Sequence, residues 1–154
     1  MQQKQKKIPF SKQAYEKLKH KQIQLEQKRQ QVIKRVQTAR EMGDLSENAA
    51  YKYGKLEISS INRELREIAF LLRYGEIKKP KHGEIIDFGS IVTIESKMGK
   101  NTFTLVSEYE SNPSENKLSI NSPLGKLLIN KKVGNTITVN APAGDIEYKI
   151  IKVK

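Results

Sequence analysis

From Ser11 to Tyr74 the chain contains no proline, and glycine occurs there only at Gly43 and Gly54. Within that stretch Ile58, Ile61, Leu65, Ile68 and Leu72 alternate steps of three and four. This spacing lays a continuous apolar stripe along one side of a helix. A weaker stripe precedes it: Leu18, Leu25, Val32 and Ala39 recur every seven residues, with Tyr15 and Val36 on the adjoining row, which Gln22 and Arg29 interrupt. Neither helix can bury its stripe alone, so the pattern predicts two antiparallel helices paired around a turn at Gly43. Roughly 30 residues per arm, at ~1.5 Å each, give a rod about 45 Å long. The small residues Ala49, Ala50 and Gly54 are expected to let the helices approach closely near the turn.

The pattern changes at Ile77-Lys78-Lys79-Pro80-Lys81-His82-Gly83, where Pro and Gly end the helix and the charge run reads as a solvated linker. Strand spacing follows. Ile91–Ile94 and Thr102–Val106 flank a Lys97-Met98-Gly99-Lys100 turn and predict a hairpin. Leu118–Ile120, Thr136–Val139 and Ile146–Ile151 supply further strands, and Ser122-Pro123-Leu124 opens a short helix with Ser122 as N-cap and Pro123 at its first position. The predicted fold class is α+β. Residues 1–79 form an N-terminal antiparallel coiled-coil hairpin with an acidic tip at 41–47, and residues 80–154 form a small α+β domain.

Charge narrows the function. The formal net charge is +12 and is unevenly placed: residues 1–79 hold 19 Lys/Arg against 9 Asp/Glu, and residues 80–154 hold 10 against 8. Such an excess in one segment favours a polyanion such as RNA or DNA, or an acidic groove on another protein. The absence of Cys excludes a disulfide scaffold, a thiolate metal site and Cys catalysis. His20 and His82 stand apart with no metal-ligand spacing, and no phosphate-binding Gly-x-x-x-x-Gly-Lys-Ser/Thr loop occurs. No apolar run approaches the ~20 residues that cross a bilayer, and the N-terminus lacks the apolar core of a signal peptide. A cytoplasmic protein is expected, with no membrane association.

Between the two basic arms sit Glu41, Asp44 and Glu47 without a positive neighbour in the intervening segment. Two readings stand side by side. Asp44-x-x-Glu47 has the form of a capping box, with Asp44 as N-cap and Glu47 at the third position of the second helix. Equally, Mg²⁺ takes hard oxygen ligands and keeps several waters, so two carboxylates on a turn can complete a site whose other ligands come from a partner. Tyr51 and Tyr53 close by suit either base stacking or packing across the helix pair.

The segment Ala39-Arg40-Glu41-Met42-Gly43-Asp44-Leu45-Ser46-Glu47-Asn48-Ala49-Ala50-Tyr51 closely resembles the tip signature of the Gre family of bacterial transcript-cleavage factors. Leu118–Lys126 and Val139–Ile150 are similar to that family's globular domain, in the right order and at the right separation. The likeness runs from about Ile8 to Val153 and is closer to the GreA branch. It implies an FKBP-like second domain that docks on bacterial RNA polymerase, with the coiled coil inserted through the secondary channel toward the active centre. There the factor stimulates the polymerase's own endonucleolytic cleavage of backtracked RNA at its 3′ end, so the protein is an accessory and not itself an enzyme. The resemblance further implies that Asp44 and Glu47 help hold a Mg²⁺ ion shared with the polymerase active site, with no cofactor bound by the free protein. By the same likeness Arg40 and Lys55 face the RNA, Ser122, Pro123 and Leu124 belong to the polymerase-docking segment, and a monomer is expected.

One position departs from the family pattern: Ala50 stands where a further Glu is usual. A secondary-channel factor that inhibits polymerase without cleavage is therefore the alternative, although intact Asp44 and Glu47 favour an active factor. An FKBP-like prolyl isomerase needs an aromatic pocket, for which residues 80–154 offer only Phe88, Phe103, Tyr109 and Tyr148. A simple basic coiled-coil nucleic-acid binder leaves the acidic turn without purpose.

Overall fold

The computed structural model describes residues 7–43, 48–80, 83–142 and 144–154. The chain divides into two compact units, one holding Tyr15–Gly75 and the other Lys7–Ala14 together with Glu76–Lys154.

The first unit is a helical hairpin of α1 (Lys12–Glu41) and α2 (Ala49–Tyr74). Three interactions establish that the helices run antiparallel. The Tyr15 hydroxyl donates to the Leu72 carbonyl at 3.0 Å, Lys21 meets Glu64 at 3.1 Å, and Asn48 Nδ2 donates to the Ala39 carbonyl at 2.7 Å. The predicted stripes are the buried seam: Val32 and Ala39 on α1 face inward, as do Ile61 and Ile68 on α2. Leu71, one position off the stripe, is also buried. Each large aliphatic side chain buried this way contributes about 1.5–3 kcal/mol, more than the intrinsic propensity of either helix supplies per turn.

Gly54 does what its size suggested. A Cβ at that position would lie 2.3 Å from Cγ2 of Val36, so the helices pass closely only because it is missing. Ala49 and Ala50 do not share this role, because both are exposed on the first turn of α2. The small residue on the opposing helix is Ala39, 6% exposed.

The capping-box expectation is corrected. The N-cap of α2 is Asn48, extended at φ −77° and ψ 92°, with its side-chain oxygen accepting from Tyr51 N at 3.0 Å. Asp44 is therefore not the N-cap of α2, nor Glu47 its third residue; both lie outside the described residues. The physical reason is the amide. Asn48 caps α2 with its oxygen while its nitrogen satisfies the Ala39 carbonyl near the end of α1. A carboxylate can accept but has no proton to give.

The second unit is built on a mixed five-stranded sheet. In chain order its strands are β3 (Ile91–Ser96), β4 (Gly99–Val106), β5 (Lys117–Ser119), β6 (Thr136–Ala141) and β7 (Gly144–Val153), arranged β5-β4-β3-β7-β6. The expected β3–β4 hairpin is present in antiparallel register, with Ile91 opposite Thr104 and Ser96 opposite Gly99. Only β4–β5 is parallel. Alternation along the strands sends Val92, Ile94, Leu105, Ile137 and Ile150 to one face, where Ile86 and Leu128 complete a buried core. Leu128 belongs to a short helix α3 (Pro123–Leu128). Ser122 caps it as expected, accepting from Gly125 N at 3.0 Å and donating to the Ser119 carbonyl at 2.7 Å. Gly125 is required there, since a Cβ would meet the Ser119 carbonyl oxygen at 2.0 Å.

Two three-residue strands escape sequence analysis. β1 (Ile8–Phe10) pairs with β2 (Gly75–Ile77), and the Lys78 N–H continues the pairing to the Phe10 carbonyl at 2.9 Å. Phe10 is buried and stacks on Tyr109 at 5.9 Å between ring centroids. Ser11 N donates to the Glu110 carboxylate at 3.1 Å, a carboxylate also bonded by the Ser107 hydroxyl at 3.1 Å. The expected linker is correspondingly structured up to Pro80. Lys78 pairs with Asp87 at 2.9 Å, and Gly89 passes so near Pro80 that a Cβ would lie 2.8 Å from it.

Candidate functional site

The loop end of the helical hairpin carries the residues singled out from sequence. Asn48 ties the last turn of α1 to the first turn of α2 through its two hydrogen bonds, and Asp44 and Glu47 fall by sequence in the connection it closes. Arg40 is exposed in the last turn of α1, where a cation complements the helix dipole. Lys55 is exposed on α2, its ammonium 5.4 Å from the centroid of the Tyr51 ring. Tyr51 is half-buried on the seam side, which favours its packing role. Tyr53 is 73% exposed, as are Leu56 at 67% and Met42 at 78%. Tyr53 and Leu56 lie one turn apart on the outer face of α2, where the helix pair gives them nothing to pack against.

Charge is distributed unequally between the two flanks of the seam. On one flank Lys21 meets Glu64 at 3.1 Å, Lys28 meets Glu57 at 3.1 Å and Arg35 meets Glu57 at 2.7 Å. The hydrogen bond from Lys28 holds the Glu57 carboxyl below its usual range against a smaller opposing loss of hydration, and Arg35 adds to the effect. On the other flank Arg40 and Lys55 form no ion pair among the described residues. Among the described residues the cross-helix ion pairs thus lie on one flank, and Arg40 and Lys55 lie on the other, next to the loop.

Among the described residues no three His, Cys, Asp or Glu side chains gather to hold a metal ion. In the second unit the docking candidates have different surroundings. Pro123 is exposed, whereas Leu124 packs on the core and both functions of the Ser122 hydroxyl are taken by the cap. Sequence reasoning missed Asn48 as the element joining the two helices. Its signal was an Asn directly before Ala49-Ala50, overshadowed by the louder Asp-x-x-Glu spacing.

Comparison with known proteins agrees over both units. A family described as "Transcription elongation factor, GreA/GreB, C-term" matches residues 80–154, and one described as "Transcription elongation factor, N-terminal" matches residues 8–77. Transcription elongation factor GreA of Thermosipho africanus is 35% identical over 150 residues, covering 96% of each chain. GreA of Syntrophomonas wolfei is 36% identical over 155 residues, covering 97% of this chain and 98% of its own. Among solved structures, Gfh1 of Thermus thermophilus covers 97% of this chain and 99% of its own at 24% identity and a TM-score of 0.47. That overlap is too low to add to the assignment. The helical hairpin with a sheet-based second unit defines a two-unit α+β protein. The chain belongs to the GreA/GreB family of transcription elongation factors, with GreA proteins as its curated relatives. Among the described residues no helix is long and apolar enough to cross a membrane.

Proposed function

We propose that this protein inserts its helical hairpin into the secondary channel of bacterial RNA polymerase and stimulates the polymerase's intrinsic cleavage of backtracked RNA, releasing arrested complexes. The observation that carries the reading is the loop end itself. The connection holding Asp44 and Glu47 joins two helices pinned by Asn48, with the exposed cations Arg40 and Lys55 on one flank beside it. Two carboxylates close together in sequence suit Mg²⁺, which retains waters and shares ligands with phosphates. A Mg²⁺ ion bound there would activate a water and offset charge on the scissile phosphate. Asp44 and Glu47 supply the oxygens, Arg40 and Lys55 attract the extruded RNA, and Pro123 lies on the exposed docking segment beside Ser122 and Leu124. Ala50 is exposed on the first turn of α2, so the missing carboxylate weakens the local negative field without disturbing packing.

The test is an artificially backtracked polymerase complex with labelled RNA, run out on a gel. The wild type is expected to accelerate cleavage, Asp44→Ala and Glu47→Ala to lose the acceleration while still binding polymerase, and Ala50→Glu to increase it. If the wild type leaves the rate unchanged or slows it, the protein is a channel inhibitor and the cleavage reading is wrong.

A further inference from the structure

Within the second unit, Phe88, Leu105 and Val106 floor a cavity of about 230 Å³ whose sides are Ile77, Pro80 and Gly89. Its walls are fixed by the fold. Gly89 N donates to the Leu105 carbonyl at 2.7 Å, and Leu105 N to the Ser90 carbonyl at 2.9 Å. Pro80 packs on Gly89, and Lys78 is held at the mouth by both oxygens of Asp87, at 2.9 and 3.1 Å. The exposed lining atoms are nearly all apolar, yet the described residues leave the space open. Size narrows what can fill it. A cavity of about 150 Å³ takes up benzene, and sites for whole small ligands run from roughly 300 to 1,000 Å³. One side chain the size of Leu or Phe fits between those limits. Charge narrows what can flank that side chain. The lining includes Lys12, Lys78 and Lys79 and no acid. Lys78 is matched to Asp87, whereas Lys12 and Lys79 are exposed and in no ion pair among the described residues.

We propose that this pocket receives a single large apolar side chain from an acidic segment of a partner protein, with Lys12 and Lys79 meeting carboxylates next to that anchor. Burial of the anchor supplies most of the affinity, because the walls are already in place and little ordering is required on binding. Ile77, 42% exposed, offers apolar contact at the mouth to the backbone that carries the anchor. The two exposed lysines add little binding energy in water but select acidic over basic flanks. Ser122, Pro123 and Leu124 line no part of the pocket, so this surface is separate from the docking segment. The inference concerns the second unit alone and does not require the cleavage reading.

The test uses the full-length protein without polymerase. Fluorescein-labelled peptides Asp-Glu-Xaa-Glu-Asp, with Leu, Phe or Ala at the centre, are titrated by fluorescence anisotropy. The Leu or Phe peptide is expected to bind about tenfold more tightly than the Ala peptide, and a Lys-Lys-Leu-Lys-Lys peptide not to bind. Lys12→Glu and Lys79→Glu, both at exposed positions, each weaken the Leu peptide about threefold, whereas Lys97→Glu on the β3–β4 turn leaves its binding near wild type. Thr104→Phe places a ring at the cavity and is expected to abolish the preference for Leu over Ala, with thermal melts showing that the variant is folded. Equal binding of the Leu, Phe and Ala peptides overturns the proposal, as does undiminished binding by the Lys12→Glu, Lys79→Glu double variant. Tighter peptide binding after removal of residues 1–6 makes the chain's own first residues the occupant and overturns it too. Dimerisation seen by sedimentation and abolished by Thr104→Phe makes the occupant a second copy, with the same consequence.

Discussion

Gly54→Ala isolates the close approach of the two helices. Two effects of opposite sign compete. In the interior of α2, alanine improves intrinsic helix propensity by up to about 1 kcal/mol. The new methyl, however, would sit 2.3 Å from Val36 Cγ2, well inside contact distance. Val36 is β-branched with one soft torsion, so relief requires an unfavourable rotamer or a separation of the helices. Overpacking of this kind costs about 1–3 kcal/mol, which leaves a net destabilisation of about 0–2 kcal/mol. For a unit of this size each kcal/mol moves the melting temperature by roughly 4–8 °C. Thermal melts followed by circular dichroism at the helical band, with urea titration alongside, read the change. Val36→Ala on its own removes half-buried methyls and should cost about 1–2 kcal/mol. Added to that background, Gly54→Ala should become stabilising, with a coupling of about 1–3 kcal/mol between the sites. A rise in melting temperature for Gly54→Ala with Val36 present would refute the close-approach reasoning.

The pH dependence of the hairpin should follow Glu57. Its carboxyl is held below the ordinary carboxylate range by Lys28 and then Arg35, so the pairing is at full strength above the unfolded carboxylate pKa and is lost as pH falls through the lowered folded value. Glu57→Gln should therefore destabilise the hairpin at neutral pH, and its melting curve should converge with wild type on acidification; a gap that persists in acid excludes the ion pairs as its cause. Asn48→Asp keeps an acceptor for Tyr51 N but removes the donor to the Ala39 carbonyl, and should cost about 1 kcal/mol, with Asn48→Ala losing both bonds and about twice as much. Equal losses from the two variants, measured by urea titration, would mean that the bond to Ala39 contributes nothing.

Much of the fold was legible because it is periodic. The three-four spacing from Ile58 to Leu72 and the heptad from Leu18 to Ala39 specify which faces are buried before any partner is known, and the β3–β4 hairpin follows from alternation around Met98-Gly99. Ser122-Pro123 marked the start of α3 by local chemistry alone. What escaped was non-local or too short to be periodic. β1 and β2 have three residues each and exist because segments on either side of the whole helical hairpin meet. The segment after Ile77 resembled a solvated linker until Asp87 and the Phe10 carbonyl supplied partners for Lys78. At the loop, the Asp44-x-x-Glu47 spacing satisfied a capping rule that Asn48 fulfils instead.

The sequence by itself determined the antiparallel hairpin, the α+β character of the second unit, the basic arms and the acidic connection between them. These follow from spacing and composition, which act within a few turns of chain. Tertiary structure alone decided which of the hairpin's cations pair across the helices. Lys21, Lys28, Arg35, Arg40 and Lys55 carry the same charge in the sequence, but the antiparallel register brings only the first three within reach of Glu64 and Glu57. Ion pairing falls off within a few ångströms, so register, which no single helix contains, sets the electrostatic face of the protein. The same register leaves Arg29 at a seam position with its Nε buried and without a hydrogen-bond partner among the described residues.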